Sequence, residues 1–260
     1  MTKCAVVTIA IGSNKFWTFT HKLMREYADK TNASFVILTE QTERHPILEK
    51  FQLGRLLSQY ERILYVDGDV LINPMCPNLF EMVPAHLLGA PLEMPPRFRS
   101  NKALFAEAMA YYYPNIHFAV GTQEPRFFGA GIMVLSPVHK HLFDPPPKRI
   151  QYFNGWLDMP FLNTRATVLE TPLYELQNMG CFNPFTERQA SQQAMMFHAA
   201  SWMGGARLPV IKMLHEIWTE KPPQAFASRI SFYAYTSLFP HRRFFPTRLR
   251  TLARNFFEHA

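Results

Sequence analysis

The chain has 260 residues, 48% hydrophobic and 18% charged, a composition that gives one sizeable core and excludes a disordered or low-complexity chain. Three cysteines, Cys4, Cys76 and Cys181, lack CxxC spacing, which excludes a disulfide framework or zinc knuckle and points to a reducing, cytoplasmic setting. The net charge of +7 sits almost wholly in residues 221–260, which hold seven Lys or Arg against one acid. The body is therefore near neutral and gives no reason to expect a nucleic-acid partner.

In chain order, the run KCAVVTIAIG reads as a first strand buried on both faces, not as a signal peptide, since a single Lys3 precedes it and no small-residue cleavage site follows. The next segment, NKFWTFTHKLMREYADKTN, carries Phe16, Phe19, Leu23 and Tyr27 at helical spacing. SFVILTE is a second apolar strand. PILEKFQLGRLLSQY starts with Pro46 and places Leu48, Phe51, Leu56 and Leu57 on a helix, and RILYV is a third strand. This βαβαβ alternation predicts a parallel sheet covered by helices. HLLGAPLEM and RFFGAGIMVLSP read as further strands. Between them, residues 94–125 are rich in Pro and aromatics, with a helix expected near 102–112; such an excursion is a lid, an acceptor-binding segment or a packing insertion. No apolar run reaches the roughly 18 residues of a membrane-spanning helix.

The stretch RILYVDGDVLI sets Asp67 and Asp69 two residues apart, between apolar arms, at the carboxyl end of a central strand. That edge is where open α/β sheets bind ligands. Buried carboxylates need a partner or a metal, and three readings fit. One is a tight surface turn at Gly68. Another is a phosphatase that uses Asp67 as nucleophile in a D-x-D-x-[TV] motif, although the fifth position here is Leu71. In the third, alternate residues aim both carboxylates at one Mg²⁺ or Mn²⁺, and Gly68 leaves room for close approach to the backbone.

RILYVDGDVLINPMCPNLFEMVP resembles the DxD segment of GT-A fold glycosyltransferases, and more closely the glycogenin-like retaining family that includes bacterial galactosyl- and glucosyltransferases. AVVTIAIGSNKF resembles that family's first strand, LEKFQLGRLL its Lys-bearing helix, FFGAGIMVLSP its FNxGVMVxxP strand, WLDMPFLN its DQxxLN motif and FHAASWMGG its HxxGxxKPW segment.

The resemblance implies an α/β GT-A fold over residues 1–220, with a mostly parallel central sheet flanked by helices. It implies a metal-dependent, retaining transfer of a sugar from a nucleotide-sugar donor, a UDP-sugar, to an unidentified glycan, lipid-linked or other hydroxyl acceptor. Asp67, Asp69 and His198 would hold Mn²⁺ or Mg²⁺. Thr8, Ile9 and Phe16 would contact base and ribose, and Lys50 the sugar or phosphate. Asp158 would face the donor sugar and Asn163 would support its loop at the donor site. A non-catalytic sugar-nucleotide or glycan-binding module is the alternative, because Met159 stands where the family has Gln, Gly129 where it has Asn, and the Lys-Pro-Trp is absent. Arg207 or Lys212 would then take over the diphosphate contact.

Residues 221–260 read as a separate basic aromatic tail. Phe245, Leu249, Leu252 and Phe256 share one helical face, with Arg243, Arg250 and Arg254 opposite. Over 242–258 this pattern suits an anionic membrane surface, or else packing on the body, so peripheral membrane association is one expectation.

Overall fold

The computed structural model describes residues 3–92, 97–116, 127–153, 156–180 and 193–219. The basic tail, including 242–258, lies outside the described residues, as does Cys181.

A six-stranded sheet forms the centre. Its strands are β1 (Cys4–Ile9), β2 (Ser34–Leu38), β3 (Arg62–Val66), β5 (Leu88–Ala90), β6 (Ile132–Leu135) and β7 (Leu173–Glu175), in the order β2-β1-β3-β6-β5-β7. β1 runs parallel to β2 and β3, and β5 parallel to β7, while β6 is antiparallel to both neighbours. The class is thus α/β with a mostly parallel sheet and one reversed strand. A second, three-stranded sheet joins β4 (Val70–Ile72), β9 (Met196–His198) and β8 (Met179–Gly180) in that order.

The central strands are mostly apolar because helices cover both faces. Ala5, Val7, Ile63, Tyr65, Met133 and Leu135 point to one side. There they meet α2 (Leu53–Leu56), α4 (Arg97–Tyr112) and α5 (Met159–Val168). Val6, Leu64, Val66, Ile132 and Val134 point to the other, onto α1 (Trp17–Lys30) and α3 (Leu79–Met82). The alternation is the period-two geometry of a strand buried on both sides. A third cluster packs Phe16 and Leu23 against Phe197 and against Val210, Ile211 and Leu214 of α6 (Arg207–Thr219).

Two expectations change in detail. The segment from Pro46 opens as a 3-10 turn, Pro46–Gln52, and only its last residues make the single α-turn of α2. His45 caps it by accepting from the Ile47 amide. The helix expected near 102–112 begins earlier, at Arg97. No described helix is long and apolar enough to cross a membrane.

Candidate functional site

Three chain segments meet at the carboxyl edge of β3. Asp67 follows the strand directly, and its amide donates to the Gly131 carbonyl at 2.8 Å, extending the β3–β6 ladder by one rung. Because β6 is reversed, its first residues lie at this edge and not at the far one. The chain then turns through Gly68 into β4, where Val70 pairs with His198 of β9 and the Ala199 amide donates to the Asp69 carbonyl at 3.1 Å. Sheet pairing alone therefore brings the imidazole to the two aspartates.

His198 Nε2 lies 3.2 Å from Asp69 Oδ1 and 3.6 Å from Asp67 Oδ2. One ligand atom from each of the three residues lies within 4.8 Å of the other two. Two carboxylates and one imidazole at these separations could hold a divalent metal ion. A glycine makes room for the set. A β-carbon on Gly131 would fall on the His198 ring, 2.6 Å from its Nδ1, and 3.0 Å from Asp67 Oδ2. Gly131→Ala is expected to displace His198 and weaken Mn²⁺ binding by about tenfold or more, a strain of some 1–3 kcal/mol. Calorimetric titration of Mn²⁺ would measure it, and unchanged affinity would remove His198 from the ligand set.

Cations surround the cluster. Lys50, on the 3-10 turn, is 4% exposed, and its Nζ lies 2.6 Å from Asp158 Oδ2 and 3.3 Å from Asp67 Oδ1. Burial opposes its charge, but the two carboxylates outweigh burial and raise its pKa above the ordinary lysine value. Tyr65 Oη donates to Asp67 Oδ1 at 2.5 Å. Burial first, and then the Asp67 charge, holds this phenol well above its usual pKa, so it stays a donor. Arg207 starts α6, pairs with Asp69 and donates from Nε to the Ala199 carbonyl at 2.9 Å. Its guanidinium carbon lies 4.7 Å over the Phe16 ring. Burial would raise the Asp69 pKa, but His198 and Arg207 outweigh it and lower it.

The remaining expected residues take these places. Asp158 is 6% exposed and stands at the N-terminal boundary of α5, where its side chain makes no capping hydrogen bond. Asn163 is spent on the backbone: it accepts from the Phe128 amide and donates to the Phe128 and Met159 carbonyls. It thereby ties the segment that leads to Gly131 to α5, a supporting role. Gly68 is closely approached by the protein itself, since a β-carbon there would lie 2.8 Å from Trp17 Nε1 and 3.0 Å from the Ile9 carbonyl. Thr20 Oγ1 donates to the Gly68 carbonyl at 2.8 Å. Ile9 thus sits at the acid pair, while Thr8 is fully buried and its hydroxyl has no partner among the described residues. Phe16 is buried beneath Arg207. Lys212 lies over the Phe19 ring, which leaves Arg207 as the α6 cation at the acids. Gly131, Tyr65 and the Arg207–Asp69 pair carry no local sequence signal of their own. A glycine two residues after another in FFGAGIM is the nearest hint.

No protein-family model matches the chain, and no curated protein matches it. Solved structures similar to it include a glycosyltransferase involved in the glycosylation of the major capsid of PBCV-1, with 14% identity over 82% of this chain and 98% of that one, TM-score 0.46. The bifunctional glycosyltransferase WbbM in its apo form shares 12% identity over 76% of this chain and 46% of its own, TM-score 0.48. The galactosyltransferase LgtC, solved with donor and acceptor sugar analogues, shares 15% identity over 85% of this chain and 98% of its own, TM-score 0.45.

Proposed function

We propose that the protein is a metal-dependent glycosyltransferase that moves a sugar from a UDP-sugar to a hydroxyl acceptor with retention at the anomeric carbon. The observation that carries this reading is the meeting of Asp67, Asp69 and His198 at a sheet edge beside the buried Lys50–Asp158 pair. The ordered sequence resemblance over roughly residues 3–215 supports it.

Asp67, Asp69 and His198 would hold a divalent cation, whose positive charge would offset the negative charge that builds on the departing diphosphate. Arg207, already at Asp69, stands where a guanidinium can donate to the same phosphates. Lys50 holds the Asp158 carboxylate in place through a 2.6 Å bond, from where it would face the sugar. A carboxylate held 2.6 Å from an ammonium group is a blunted nucleophile, which favours Asp158 as an orienting and charge-stabilising group over one that forms a glycosyl bond. In the proposed step the bond from the anomeric carbon to the diphosphate oxygen breaks while the bond to the acceptor oxygen forms on the same face. The acceptor's proton passes to the leaving phosphate oxygen.

The second reading, a sugar-nucleotide-binding module without turnover, is favoured by Met159, buried at 6% exposure where an amide would face the sugar. Incubation with a panel of UDP-sugars, with and without Mn²⁺, separates the two by released UDP. One sugar is expected to give Mn²⁺-dependent release. Mn²⁺-dependent UDP binding without release from any sugar would favour the binding module, and absence of UDP binding would sink both. Hydrolysis of a simple phosphate ester through a phospho-Asp67 would favour the phosphatase.

A further inference from the structure

While Lys50 points inward, Leu48, Phe51 and Gln52 of the same 3-10 turn line a cavity of about 610 Å³. Phe143 and Ile150 complete an apolar floor, with Arg44, Arg55 and Arg149 around it. The volume lies within the range of small-ligand pockets, which combine an apolar lining with a few directed polar groups.

The walls are fixed in advance. Glu49 is fully buried, and its carboxylate accepts from the Thr42 amide at 2.6 Å, the Thr42 hydroxyl at 2.7 Å, the Glu43 amide at 2.5 Å and Gln52 Nε2 at 2.6 Å. A buried carboxylate is tolerated only when bonded in this way. Here the four bonds clamp the wall that carries Arg44 to the turn that supplies the floor. On the other wall, Tyr111 Oη donates to the Arg149 carbonyl at 3.1 Å. The His45 and Tyr152 rings, one from each wall, meet edge to face with centroids 6.2 Å apart.

The three guanidinium groups are exposed, and among the described residues none forms an ion pair with a carboxylate. Arg55 has only a 3.2 Å bond to Gln52 Oε1. Glu43 is the single acid in the lining, and the Glu49 carboxylate behind it is taken up by four hydrogen bonds, so three guanidinium groups outnumber the two carboxylates. That balance suits a phosphate monoester dianion, and guanidinium is the group best shaped to bind one.

We propose that this cavity binds a small amphiphilic anion, an alkyl phosphate, with its head among Arg44, Arg55 and Arg149 and its chain on Leu48, Phe51, Phe143 and Ile150. The site stands apart from the acid cluster and does not rest on the glycosyltransferase reading.

The test is calorimetric titration of the full chain with decyl phosphate below its micelle concentration, with inorganic phosphate and decanol as comparisons. Decyl phosphate is expected to bind saturably, one per chain, at least about tenfold more tightly than either comparison. The double variant Arg44→Gln/Arg149→Gln is expected to lose about tenfold or more of that affinity, since guanidinium–phosphate hydrogen bonds are charge-assisted and among the strong ones. Its Tm should not change, because both side chains are exposed and unpaired. Absence of saturable binding, equal affinity for inorganic phosphate, or undiminished binding by the double variant would each overturn the proposal.

Discussion

On the proposed function, Asp69→Asn is expected to abolish Mn²⁺-dependent UDP binding, with metal affinity falling by at least about a hundredfold. Loss of residues that merely support a metal ligand already costs about ten- to a hundredfold. Asp69 is the pivot of the cluster: it is 7% exposed, touches His198 on one oxygen and pairs with Arg207 on the other. The amide keeps the side chain's shape and removes its charge, so any loss reports electrostatics and not a cavity. The folded state itself should survive, because the Ala199 amide bonds to the Asp69 backbone carbonyl, which the substitution leaves intact. The check is Mn²⁺ titration of wild type and variant, with near-ultraviolet circular dichroism to compare their packing. A variant that binds Mn²⁺ as tightly as wild type would move the metal elsewhere.

Lys50→Met should be the most destabilising substitution near the site, at about 3–5 kcal/mol, the usual cost of leaving a buried charge without its partner. Methionine fills similar space, so packing is largely preserved. The variant leaves Asp158 buried with its bond to the Lys50 ammonium gone, and Asp67 with only Tyr65 and His198 nearby. Asp67 is a quarter exposed and adds little to the penalty, so most of it belongs to Asp158. That assignment has its own check. Asp158→Asn in the Lys50→Met background should recover a large part of the loss, because the second change removes the charge that the first one stranded. Urea unfolding of the four proteins measures both numbers. If Lys50→Met unfolds at the wild-type midpoint, the pair contributes nothing to stability and water reaches both groups.

The parallel core was readable from the sequence because its strands are covered on both sides. β1, apart from Thr8, and β3, after its opening Arg62, are apolar for that reason, and Asp67 stands out as the first polar residue after one of them. β2 is an edge strand and only half buried, yet its run is apolar enough to read. β4, β7, β8 and β9 have two or three residues each and no period to detect; they exist because a distant segment pairs with them. The 3-10 turn at Pro46 had the spacing of an α-helix, and no periodicity shows that Glu49 would be drawn aside to the Thr42 and Glu43 amides.

The candidate site divides in the same way. The spacing of Asp67 and Asp69 is a local signal, and it was legible without a fold. His198 is a lone histidine in an apolar stretch, and only the family resemblance singled it out. The Lys50–Asp158 pair spans 108 positions and Arg207–Asp69 spans 138, separations that leave no trace in a local pattern. Gly131 lies in the strand motif FFGAGIMVLSP, but what it avoids, the His198 ring, lies 67 residues further along the chain.

The antiparallel rung between Val70 and His198 also sets a timetable for biosynthesis. Translation proceeds at about 5–20 residues per second, so the aspartates leave the ribosome on the order of ten seconds before the histidine that joins them. During that interval a nascent chain carries two neighbouring acids and no imidazole beside them. Lys50 has already emerged and can neutralise Asp67, whereas Asp158 comes out only later to claim its share of that charge. The complete set of Asp67, Asp69 and His198 therefore forms only after β9 has docked, and its assembly follows the early folding of this chain instead of guiding it.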